Sequence, residues 1–116
     1  MQNEDDATRE LLLDLNGISY RYRNHTVKFK AVTVPPTKER PQGLDYSLVL
    51  LDKNRNRIFG IDNAHGIHFS KRIFGGRKVI WDHQHKREKI IPYGFVTVGQ
   101  LLKDFWDEVE KITFKT

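Results

Sequence analysis

The chain has 116 residues and a formal net charge of +5; 38% of it is hydrophobic, 30% charged, and it contains no cysteine. That length fits one domain, 1–116, with a lean core in which the aromatic residues, 11% of the chain, carry much of the burial. Without cysteine there is no disulfide scaffold, no cysteine nucleophile and no thiolate metal site. No apolar run approaches the roughly 18 residues of a membrane helix. The acidic stretch 1–6 reads as a flexible N-terminus rather than a secretory signal peptide. The expectation is a small cytoplasmic domain, off the membrane, whose positive charge seeks an anionic partner.

In chain order, a short helix is predicted over Ala7–Leu15, with Asp6 as its cap and Asn16-Gly17 as its stop. Ile18, Tyr20 and Tyr22 then alternate with Ser19, Arg21 and Arg23, and Val27, Phe29 and Ala31 alternate with Lys28 and Lys30. This period-two pattern gives two strands, each with one apolar and one basic face, joined by a tight turn at Asn24-His25. Pro35-Pro36 ends the second strand, and 37–44 is a loop. Further strands are expected at Tyr46–Leu51, Arg57–Asp62, Lys78–Asp82 and Ile90–Phe95, the last at an edge because of Pro92. Turns fall at 53–56 and at Gly75-Gly76. Val98, Leu101, Leu102, Phe105, Val109 and Ile112 recur at helical spacing. Thr97 and Gln100 suggest a capping box, and Val96 and Leu101 a hydrophobic staple. The predicted fold is α+β: a mostly antiparallel sheet of about five or six strands, covered on one face by the C-terminal helix, with a short N-terminal helix.

Charge is uneven along the chain. Residues 1–16 sum to −4 and residues 100–116 to −1, which leaves +10 for the centre, 17–99. If these charges converge in space they attract a phosphate backbone. The same alternation also describes the solvated face of any sheet. The aromatic residues between the basic ones, Tyr20, Tyr22, Phe29, Tyr46, Trp81 and Tyr93, suit base stacking when exposed and core packing when buried.

Four of the five histidines fall in two pairs, His65 with His68 and His83 with His85, each preceded by an aspartate, Asp62 or Asp82, where a strand should end. In strand geometry His83 and His85 share one face. Two imidazoles there can act as general acid and base near neutral pH. They can also ligate a divalent metal, with Asp62 or another histidine as third ligand. Lys86 and Arg87 follow directly and suit a phosphodiester. His25, alone in a turn, carries no signal. Asp62-Asn63 has an alternative role in ending a strand through side-chain turns.

Several segments together resemble the TumE family of toxins from toxin–antitoxin pairs. They are Arg40-Pro41-Gln42-Gly43-Leu44-Asp45-Tyr46, Gly60-Ile61-Asp62-Asn63-Ala64-His65, Trp81-Asp82-His83-Gln84-His85, Ile91-Pro92-Tyr93-Gly94-Phe95, and Asp104-Phe105-Trp106. The ordered similarity spans about residues 17–112. Many relatives place the Asp-Asn and the His-x-His close together, whereas here Ala64 to Asp82 separates them. The resemblance implies an intracellular toxin neutralised by a cognate antitoxin protein, and it marks Asp62, Asn63, His83 and His85 without assigning them roles.

The leading expectation is a toxin that cleaves RNA without a metal or other cofactor. His83 and His85 would share the acid–base work, and Asp62 or Asp82 would orient an imidazole. Asn63, His65, His68, Lys86, Arg87 and Tyr93 would bind substrate. The alternatives are a non-catalytic module that binds nucleic acid or protein, and a metal-dependent nuclease that uses the His-x-His pair. A homodimer is left open.

Overall fold

The computed structural model describes residues 4–64, 67–73 and 76–115; for Glu4, 67–73 and 76–80 the description is of the backbone only. The order is α1 (Glu4–Asp14), β1 (Ser19–Tyr22), β2 (His25–Thr33), β3 (Leu44–Leu51), β4 (Arg57–Asp62), β5 (Ile67–Ile73), β6 (Gly76–Ile80), β7 (His83–Lys86), β8 (Lys89–Pro92) and α2 (Val98–Phe114). Six strands form one antiparallel sheet in the order β1-β2-β3-β4-β7-β8, and β5 and β6 pair as a separate hairpin. The fold is therefore α+β, as the patterning implies.

The alternation in β2 and β3 builds the core. Val27, Phe29 and Ala31 lie opposite Leu50, Leu48 and Tyr46, and all six are buried. Ile61 and Phe59 continue that face across β4. Helix α2 covers it with Val98, Leu101, Phe105 and Val109, and Phe105 meets Phe29 edge-on and stacks on Phe59, each at a ring separation of 5.9 Å. Leu12 of α1 joins the same core. Both helices thus belong to one side of the sheet.

Several boundaries differ from the prediction for local reasons. The helix α1 starts at Glu4, not Ala7, so residues 4–6 of the expected flexible stretch are helical. Oδ1 of Asp5 accepts the Gly99 N–H at 3.0 Å, which fastens α1 to the N-terminus of α2, where a carboxylate is favoured. The β1–β2 turn is Arg23-Asn24, with φ of 49° and 66°, not Asn24-His25. Two left-handed residues make the hairpin turn that matches strand twist, and His25 becomes the first residue of β2. Thr97 does cap α2, accepting from the Gln100 N–H at 3.0 Å. The Gln100 side chain, however, donates to Asp104, so the capping box is half-made. Val96 is exposed and forms no staple. Strand β5 was not predicted, and the strand expected at Lys78–Asp82 ends at Ile80, with β7 beginning afresh at His83. The Gly75 part of the expected Gly75-Gly76 turn lies outside the described residues.

One irregularity shapes the opposite face. Leu50 pairs with Phe59 but Leu51 pairs with Arg57, so β4 carries an extra residue, Ile58. Ile58 and Phe59 both enter the core. The bulge resets the alternation and turns Arg57 to the face away from the helices.

Candidate functional site

Asp62 of β4 pairs with His83 of β7, and Gly60 with His85. Since the intervening Ile61 points to the core, Asp62, His83 and His85 all lie on the face away from the helices. Asp62 Oδ1 is 3.1 Å from His83 Nε2, and Oδ2 is 3.3 Å from His85 Nε2. The two rings meet edge-on, 4.7 Å between centroids. All three residues are buried, His83 completely and His85 to 8% exposure.

The outer partners distinguish the two imidazoles. Nδ1 of His83 is 2.7 Å from the Trp81 carbonyl oxygen. A carbonyl only accepts, so Nδ1 carries the hydrogen, and Nε2 is the nitrogen that faces Asp62. That contact is attractive only with a cation, a proton or a metal ion, shared between them. Nδ1 of His85 is 3.2 Å from a guanidinium nitrogen of Arg57, which only donates. His85 Nδ1 therefore accepts, and its Nε2–H donates to Asp62. One carboxylate thus meets Nε2 of both imidazoles, whose outer nitrogens face groups of opposite kind, an acceptor at His83 and a donor at His85.

These three side chains also offer ligand atoms that all lie within 4.8 Å of one another. His83 suits a metal, because a ring N–H fixed on a carbonyl is the usual orientation of a ligating histidine. His85 suits it only after Arg57 withdraws and its proton moves to Nδ1.

The other predicted residues separate from this cluster. Asp82, next to His83, points to the opposite face. Its Oδ2 accepts from the Tyr46 hydroxyl at 2.7 Å and from the Gln42 amide at 2.8 Å, contacts that face away from His83 and His85. Burial raises the Asp82 carboxyl above its ordinary range, partly offset by those two hydrogen bonds. Burial, with the Asp82 charge beside it, pushes the Tyr46 hydroxyl upward, which keeps it a donor. Asn63 is fully buried and serves the backbone: its Oδ1 accepts from Tyr46 N–H at 2.9 Å and its Nδ2 donates to the Leu44 carbonyl at 2.8 Å. The amide extends the β3–β4 ladder by one rung. Lys86 faces the helix layer and pairs with Glu108 at 3.3 Å. Arg87 begins the β7–β8 turn with φ 55°. Tyr93 is buried, its hydroxyl donating to Asp104 of α2 at 2.6 Å. His65, and the side chain of His68, lie outside the described residues.

Two arginines were not anticipated. Arg57 reaches the site only through the bulge, which no local pattern announces. Arg40 stacks on Trp81 at 4.8 Å and donates to the carbonyls of Asn63 and Ala64, clamping the exit of β4.

A six-stranded sheet with both helices on one side, and a buried Asp–His–His cluster with the exposed Arg57 beside it on the other, defines a small α+β protein. Comparison with protein families matches residues 4–113 to the family described as Toxin TumE. The chain belongs to this toxin family, which implies an antitoxin partner. No curated protein and no solved structure matches it. No helix among the described residues is long and apolar enough to cross a membrane.

Proposed function

We propose that this toxin acts in the cytoplasm on RNA, cleaving the phosphodiester with His85 as the proton acceptor. The observation that carries the reading is the position of Asp62, whose carboxylate takes the Nε2–H of His85 and leaves Nδ1 as the basic nitrogen. Asp62 thus orients the base, and His83, with no exposed surface, holds Asp62 from behind. Arg57 stands at Nδ1 and is exposed. When it moves to the scissile phosphate, it offsets charge in the transition state and frees Nδ1. Nδ1 then takes the proton of the 2′-hydroxyl, the 2′-oxygen bonds to phosphorus, and the bond to the 5′-oxygen breaks. The 5′-oxygen leaves with a proton from water, giving a 2′,3′-cyclic phosphate. Toxin family membership and the basic centre of the chain support an RNA target.

The test is cleavage of cellular RNA by purified protein, with and without a chelator. Removing a positioned base costs about 10²–10⁴-fold in rate, so His85→Ala and Asp62→Asn should lose that much, with chelator having no effect. Full activity in both variants would sink the reading. The grouping of Asp62, His83 and His85 ligand atoms within 4.8 Å of one another favours a second reading, a metal-dependent nuclease. Loss of cleavage in chelator, restored by added metal, would select it.

A further inference from the structure

The register of the sheet aligns two straight rows across its open face. One runs Lys28, Val49, Gly60, His85, each opposite the next. The other runs Lys30, Ser47, Asp62, His83. Each row begins on β2 with an exposed lysine and ends on β7 with a histidine of the cluster. Three inter-strand steps of about 4.8 Å separate the ends by roughly 14 Å.

Between the ends the residues are small or short. Gly60 lies beside Arg57 and Val49: an added Cβ would stand 3.6 Å from the Arg57 side chain and 3.7 Å from that of Val49, and 3.2 Å from the Leu48 carbonyl oxygen. Gly60 is buried, and a side chain there would press on Arg57 and Val49. Ser47, Val49 and Arg57 line the same groove as Lys28 and Lys30. A shallow lane therefore leads from two cations to the exposed Arg57 guanidinium, which meets the buried His85.

We propose that this lane is the track for the backbone of single-stranded RNA, with Lys28 and Lys30 holding phosphates upstream or downstream of the bond presented to His85. The proposal rests on the reading of RNA as target. The charge selects a polyanion. The flat face suits an unpaired strand, since a sheet surface does not enter the deep, narrow major groove of duplex RNA.

The test measures binding of an unstructured oligoribonucleotide to His85→Ala protein by fluorescence anisotropy across a salt series. Adding Lys28→Ala and Lys30→Ala should weaken binding equally for different sequences. It should also lower the slope of log affinity against log salt by about 1.4, at about 0.7 for each lost phosphate contact. Replacing Lys103 and Lys115 on the helix side instead should leave affinity and slope unchanged. Affinity and slope indifferent to Lys28 and Lys30, or preference for duplex over single-stranded RNA, would overturn the track alone. Absence of RNA binding at any salt would overturn the RNA reading and the track with it.

Discussion

Arg57 donates to Nδ1 of His85 at 3.2 Å because the chain gains a residue at Ile58. Had the alternation run regularly through Ile58, Arg57 would share the face of Phe59 and point into the helix layer. The bulge thus trades one regular ladder position for a cation at the imidazole whose other nitrogen is held by Asp62.

The contact makes a spectroscopic prediction. In the wild type, ¹⁵N spectra of the imidazoles at neutral pH should show His85 protonated at Nε2. In Arg57→Ala the Nδ1 donor is lost, so a mixture of tautomers should appear, and RNA cleavage should fall with the fold intact. An unchanged His85 signal would show that Asp62 alone sets the tautomer.

Asn63 sits in the most specific stretch of the sequence, yet its amide is spent on backbone. Asn63→Ala would leave the buried Tyr46 N–H and Leu44 carbonyl without their partner. At about 1–3 kcal/mol for each orphaned group, the loss should be about 2–6 kcal/mol. Urea unfolding checks it. Asn63→Asp should also destabilise, because a carboxylate cannot donate to Leu44.

Asp82 gives a pH dependence. Its folded carboxyl holds a proton more tightly than in the unfolded chain, where the ordinary value is 3.8. Its contribution to stability is therefore fullest below that value and is lost as pH rises through the folded value. Asp82→Asn keeps an acceptor for Tyr46 and Gln42 but cannot ionise. The stability of wild type relative to this variant should be greater at pH 3 than at pH 7, measured by denaturant unfolding at both. Asp82→Ala should cost about 1–3 kcal/mol at either pH by stranding the Tyr46 hydroxyl.

Phe105 is the fully buried contact of α2 with both β2 and β4. Phe105→Ala should cost about 3–5 kcal/mol. The urea midpoint should shift with the slope of the transition unchanged, since the same surface unfolds.

The elements with strong patterns were legible in the residues. The helical stripe from Val98 to Ile112, the alternation around Phe29, and the shared face of His83 and His85 all follow from periodicity, which is local. Asp62 and the histidine pair were singled out by spacing and residue type. Asp82, Lys86 and Arg87 drew attention through adjacency, but neighbours along a strand point to opposite faces. Strand parity therefore sent Asp82 to Tyr46 and Lys86 to Glu108.

What the sequence by itself determined is the helical stripe of α2, the two faces of the strongly alternating strands, and the chemistry at hand: imidazole, carboxylate and cation, with no thiol. The tertiary structure decided which of these groups meet. The pairing of β4 with β7 joins residues about twenty positions apart. The registers of β2, β3 and β4 line Lys28 and Lys30 up with the histidines. A single extra residue brings Arg57 to them. Register and bulge are properties of paired strands, set by packing between distant segments, and no one segment contains them.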